Sequence, residues 1–175
     1  MNGKLISIAA AIALLSATAQ AGTENVKFPK GYADNYVLYT TVNKASKKRG
    51  DTFRKFFIPR AALAAVKSGK GLPSGTIIVR EDWFTKKDAA KKSIVGADGK
   101  FVTTKKKGVE VMEKRDGWGT DYPASKRNGN WEYASFKPDG KRKAKAKIGR
   151  CFGCHLRKKS ADFVFSMKAL KKAAN

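Results

Sequence analysis

Histidine is nearly absent from this 175-residue chain, which has one, His155, and cysteine is confined to Cys151 and Cys154. A single imidazole excludes a zinc centre built on several histidines and a bis-histidine haem, and two thiols exclude a scaffold held by several disulfides. Acidic side chains are scarce, 14 Asp and Glu against 38 Lys and Arg, which leaves a formal charge of +24. Such a field attracts anionic partners and adds self-repulsion, but it does not choose a fold. Long apolar runs are lacking as well: the strongest, Ile6 to Leu15, falls short of the roughly 20 residues that a spanning helix needs. The 42% of apolar residues, with 10% aromatics, is enough for one core in one domain.

Met1 to Ala21 joins a short start carrying Lys4 to an apolar stretch, Leu5 to Ala19, and ends in Ala19-Gln20-Ala21 before Gly22. This is the pattern of a secretory signal peptide cleaved after Ala21. The expected mature domain is therefore residues 22–175, exported to a bacterial periplasm without an integral membrane anchor. In that compartment a free thiol pair is oxidised unless another group claims it.

Tyr36 to Val42 and Phe53 to Ile58 are rich in aromatic and β-branched residues and predict strands. Pro59 stops the second and opens a short helix over Ala61 to Val66 that ends near Gly69. Beyond the turn at Gly71 to Gly75, Thr76 to Val79 reads as a strand. Phe101 to Thr104 and Val109 to Met112 read as two more, parted by a hairpin-like break at Lys105 to Gly108. Trp131 to Phe136 is the last. Ser160 is expected to cap a helix from Ala161 to about Ala173, with Phe163, Met167 and Leu170 on one face. Strands that adjoin without helical crossovers imply the α+β class: one domain with an antiparallel sheet of about five or six strands, an early helix and a C-terminal helix.

Cys151-Phe152-Gly153-Cys154-His155 is the C-x-x-C-H pattern of covalent haem attachment. Two thiols at that spacing add to the two vinyl groups on one porphyrin edge, and the adjacent imidazole reaches the iron. The expected cofactor is one haem c, with His155 as metal ligand. A redox dithiol is a second reading, but such pairs open a thioredoxin-like βαβ unit, whereas these lie near the C-terminus without a parallel-sheet pattern. A zinc site is a third, and it needs a carboxylate beside Cys151, Cys154 and His155. With one histidine, the sixth position on iron falls to Met, Lys, a small molecule or nothing. Met167 follows His155 too closely to swing to the far face, and Met112 ends a strand, where packing is the usual role of methionine. That arithmetic favours an open or weakly occupied distal site.

The motif followed by Asp162-Phe163-Val164-Phe165, with Leu72 to Val79 and Gly117-Trp118-Gly119 upstream, resembles the cytochrome P-460 family and its sister, cytochrome c′-beta. The resemblance runs from roughly Phe28 to Leu170, and the β-rich upstream chain sets it apart from the four-helix cytochromes c′. It implies an antiparallel sheet with helices, a homodimer, and a five-coordinate haem beneath a mostly apolar distal pocket. In cytochrome P-460 proper, a lysine beyond the Pro-x-Gly turn is cross-linked to the porphyrin, and a distal carboxylate serves hydroxylamine oxidation. Here the matching stretch is Val79-Arg80-Glu81, with Arg80 in the lysine's place and Lys86 and Lys87 as candidates under a shifted register. Lys145 to Arg150, where the carboxylate is expected, holds no acid. Both departures favour the gas-binding sister, whose distal face is capped by phenylalanines; Phe56 and Phe57 are the candidate counterparts. An Arg80 that reaches the haem stabilises a bound anion, a propionate or a partly reduced ligand such as nitroxyl. The alternative is a solvated strand-face arginine, since Thr76, Ile78 and Arg80 share one face and Ile77 and Val79 the other.

The lysine-rich runs at Lys47 to Arg49, Lys105 to Lys107 and Lys141 to Lys147 suit an acidic redox partner or the steering of anionic ligands, an effect that salt weakens. Without a recognition motif, nucleic acid is not expected as a partner. The leading expectation is a periplasmic c-type haem protein that binds nitric oxide or carbon monoxide. The alternatives are a hydroxylamine-oxidising oxidoreductase and a low-spin electron-transfer cytochrome with Met112 or a lysine as second axial ligand.

Overall fold

The computed structural model describes residues 24–120 and 122–175, so the expected signal peptide lies outside it. Five strands form one antiparallel meander, β1 (Tyr36–Lys44), β2 (Thr52–Pro59), β3 (Ile77–Thr85), β4 (Thr103–Lys114) and β5 (Trp131–Phe136), each paired with the next. The helices are α1 (Tyr32–Asn35), α2 (Arg60–Lys67), α3 (Gly149–His155) and α4 (Met167–Ala174), with 3-10 turns at Ala124–Lys126 and Leu156–Ala161. This is the expected α+β domain. Among the described residues no helix is long and apolar enough to cross a membrane.

Alternation along the strands divides the sheet into two faces. One carries Val79, Val109, Val111, Ala134 and Phe136, which pack with Val26, Tyr32 and Phe57 into one core. The other carries Ile58, Ile78, Met112, Trp131 and Tyr133, packed with Leu72, Phe152, Phe163 and Leu170 from the helix side. Trp131, Ile58 and Leu170 are fully buried there. Truncating any of them to Ala costs about 2–5 kcal/mol through lost transfer energy and a residual cavity.

Two expected features differ. Lys105 to Gly108 does not break the chain: β4 runs unbroken through it. The lysines are partnered rather than turned, Lys106 Nζ lying 2.6 Å from Glu81 Oε1 and the ammonium groups of Lys105 and Lys107 lying 6.0 and 5.1 Å from the Phe84 ring centroid. Gly108 is a site of close approach, since a Cβ there would stand 3.1 Å from the Phe136 carbonyl. The last helix begins at Met167 with Ser166 at its N-cap, not at Ala161 behind Ser160. Asp162 and Phe163 adopt positive φ of 49° and 59°, which ends the preceding 3-10 turn, so Phe163 sits in a corner rather than on a helical face.

Candidate functional site

α3 carries the motif. At positions i, i+3 and i+4, Cys151, Cys154 and His155 project from neighbouring points of one helical turn. The two cysteines form no disulfide with each other: Cys151 is half-buried against the helix-side core and Cys154 is exposed. Burial pushes the Cys151 thiol up to about 11, with the charge of Glu110 adding to the effect and Arg80 opposing it. His155 is aimed by three contacts. Its Nδ1 lies 2.6 Å from the Phe163 carbonyl oxygen. A carbonyl only accepts, so the proton sits on Nδ1 and Nε2 keeps its lone pair for a metal. Tyr133 and Phe165 flank the ring at centroid distances of 4.8 and 5.0 Å. Burial, with a contribution from the charge of Arg80, lowers the imidazole's pKa against the opposing hydrogen bond to Phe163, which favours the neutral, ligating form.

The Phe163 carbonyl is presented by the corner at Asp162 and Phe163. Left-handed geometry costs roughly 1–2 kcal/mol per non-glycine residue, and here two occur in succession. Asp162 Oδ2 accepts from Lys114 Nζ at 2.8 Å, and its Oδ1 accepts from Trp131 Nε1 at 3.2 Å. The Phe163 ring is buried in the core.

Farther along the same face of the sheet, the apolar residues give way to charge. Register places Phe56 opposite Arg80, Arg54 opposite Asp82, Arg80 opposite Glu110, and Glu110 opposite Ser135. Arg80 grips Asp82 bidentately, Nε to Oδ1 at 3.0 Å and Nη2 to Oδ2 at 2.9 Å, and Arg54 Nε stands 3.0 Å from the same Oδ1. Glu110 accepts from Ser135 Oγ at 2.9 Å, with Lys143 Nζ 3.8 Å away. Desolvation raises the Glu110 carboxyl above the usual range, and Arg80, Ser135 and Lys143 do not offset it. Arg80 and Glu110 are both within electrostatic reach of Cys151, and Arg80 reaches His155 as well. Beside this patch a cleft of about 390 Å³, lined in part by Ser135, Lys143, Ile148 and Gly149, opens just ahead of the motif.

The structure thus brings Arg80 within electrostatic reach of Cys151 and His155, as an ion-paired, half-buried group rather than a solvated one. Lys86 and Lys87 lie beyond the end of β3, about 20 Å from Arg80 at strand spacing, and Lys87 is tied to Asp51 and Ser93. Of the two phenylalanines, Phe56 is on the motif side and Phe57 is not: it packs edge-on to Tyr32 in the opposite core. Adjacent strand residues must part in this way. Met112 is buried in the helix-side core, and Met167 packs against it from α4.

Glu110 is not marked by any local motif. The sequence leads one to expect an acid just before the cysteines in the chain, whereas the sheet brings one from β4. The available signal was parity: Glu110 shares a face with Met112, two residues on.

The residues fit a haem of the attached kind: two thiols on one helical turn, an adjacent imidazole whose Nδ1 carries the proton and leaves Nε2 to a metal, and a cleft against a charged sheet face. Residues 29–166 match the family model for Cytochrome P460. No curated protein matches the chain. The chain therefore belongs to the Cytochrome P460 family, and its cofactor is haem.

Proposed function

We propose that this Cytochrome P460 family member carries one haem c and binds small ligands such as nitric oxide. Cys151 and Cys154 hold the porphyrin by thioether bonds, and His155 ligates iron through Nε2. When bound, haem supplies an iron with a coordination position for a diatomic ligand. The chain's own residues shape that position. The observation that carries the reading is the shared sheet face, on which Phe56, Arg80 and Glu110 stand beside the motif while both methionines of the described residues are packed in the helix-side core. Phe56 excludes water, and Arg80, oriented by Asp82, supplies a fixed positive charge for a polarised or anionic ligand.

A specific observation keeps hydroxylamine oxidation as the second reading. Glu110, with its raised pKa, is a carboxyl able to accept or return a proton on that side. The optical spectrum of the purified protein, ferric and ferrous, with and without nitric oxide and hydroxylamine, tests both. A high-spin spectrum of ordinary c type that shifts with nitric oxide supports ligand binding. A strongly red-shifted ferrous Soret band and reduction by hydroxylamine favour the oxidase, and low-spin bands indifferent to ligands contradict both.

The setting follows the same reading. The leader directs export to the periplasm, where the thiols are spared oxidation by attachment. Nine Lys and Arg and no acid lie from Lys141 to Lys159, and Arg157 Nη2 stands 3.7 Å from the Sγ of exposed Cys154. An acidic redox partner docks there, with a rate that falls steeply as salt rises. The protein is a homodimer. Strand β1, at the edge of the sheet with Leu38 and Val42 exposed, offers an apolar strand for that contact.

A further inference from the structure

We infer that Asp162, held by Lys114 and Trp131, is a positioning residue for His155 and acts through the backbone of Phe163; the inference rests on His155 being the haem ligand. Ser160 to Ala173 has the pattern of one continuous helix, and in such a helix the Phe163 carbonyl would be taken by the amide of Met167. That carbonyl would then be lost to His155. In the structure the helix is interrupted: Asp162 and Phe163 are left-handed, and Met167 N bonds instead to the Val164 carbonyl at 3.4 Å.

The interruption is anchored from outside the segment. Lys114 and Trp131 are direct register partners where β4 ends and β5 begins, so the two donors that hold Asp162 come from two hydrogen-bonded strands. Lys114 Nζ also donates to the Leu72 carbonyl at 2.9 Å and lies 5.8 Å from the Trp131 ring centroid, which fixes the ammonium on three sides. Phe163 is pinned by its buried ring, and Gly129 leaves it room, since a Cβ there would come within 3.1 Å of the ring. The result is one connected path, from the end of the sheet through the Asp162 carboxylate and the corner to the Phe163 oxygen, 2.6 Å from His155 Nδ1. A hydrogen bond at that nitrogen sets the ring's orientation and the basicity of the opposite nitrogen.

The test compares wild type with Asp162→Asn, Lys114→Met and Lys114→Arg, each purified as expressed. The readout is solvent exchange of the His155 Nδ1 proton by NMR, which is measurable with or without haem. The expected result is exchange faster by roughly tenfold, the protection of about one hydrogen bond, in Asp162→Asn and Lys114→Met, with most protection retained in Lys114→Arg. In haem-loaded samples the first two variants also show a higher reduction potential, because a weaker bond at Nδ1 makes the imidazole a poorer donor. Unchanged exchange in both variants, even with lowered thermal stability, overturns the inference. Mass spectrometry of the Cys151–His155 peptide separates the two claims: a peptide without haem counts against the haem reading, while loss of proton protection in the variants still supports the positioning role.

Discussion

Glu81 and Glu110 stand on neighbouring strands one register step apart, and the pleat turns them to opposite sides of the sheet. Glu81 is buried among three donors: Tyr32 Oη at 2.6 Å, Trp83 Nε1 at 2.7 Å and Lys106 Nζ at 2.6 Å. Burial pushes its carboxyl up, but the bonds from Lys106, Tyr32 and Trp83 outweigh it and hold the group below the usual range. Glu110 receives one close bond, from Ser135, and desolvation wins. Donor number therefore decides which carboxylate is locked into the fold and which can titrate beside the motif. The same division separates Phe57, enclosed in the core on the Glu81 side, from half-buried Phe56 on the Glu110 side.

The largest effect expected of this contrast is in the phenylalanines. Phe57→Ala removes a ring from a closed core and costs about 3–5 kcal/mol in urea unfolding. Phe56→Ala costs less than half as much and instead speeds ligand entry, read by stopped-flow mixing with carbon monoxide; equal costs for the two would break the contrast. Next come the glutamates. Glu81→Gln weakens a buried ion pair and is expected to destabilise by about 2–4 kcal/mol, whereas Glu110→Gln stays within about 1 kcal/mol of wild type.

The smallest effect is in the dependence of stability on pH. Because the folded pKa of Glu81 is depressed, its contribution is complete above the unfolded carboxylate value, about 4.3, and is lost as pH falls through the lower folded value. Because that of Glu110 is raised, the folded state holds the proton longer. Stability then falls as pH rises from the unfolded value through the folded one. Urea midpoints across pH should show the acid limb flattened in Glu81→Gln and the falling limb flattened in Glu110→Gln. Identical profiles would show that the two sites do not differ.

Much of this was legible in local sequence, because local signals caused it. The aromatic and β-branched runs became β1, β2 and β5, Pro59 became the N-cap of α2, and the motif spacing placed the two thiols and the imidazole on one turn. What was not legible depends on residues distant in the chain. Lys105 to Gly108 looks like a turn until Glu81, Phe84 and Asp82 appear across the strand from it. The helix expected from Ala161 is interrupted at Asp162, whose carboxylate accepts from Lys114 and Trp131, both far upstream. Glu110 comes beside the cysteines only when β4 is laid between β3 and β5. The choice between Phe56 and Phe57 was a matter of parity, and only the pairing of Phe56 with Arg80 resolved it.

On the proposed function, the charged end of the helix-side face, with Arg80 and Glu110, meets the ligand on iron. The most direct measurement is the infrared C–O stretch of the ferrous carbon monoxide adduct in wild type, Arg80→Leu and Glu110→Gln as pH is varied. A positive charge near the bound ligand draws electron density from the metal into it and lowers the stretch, so Arg80→Leu should move the band to higher frequency. Titration of Glu110 should shift the wild-type band at a pH above the usual carboxylate range, and Glu110→Gln should abolish that shift. A band at the wild-type frequency in both variants at every pH would show that neither group meets the ligand.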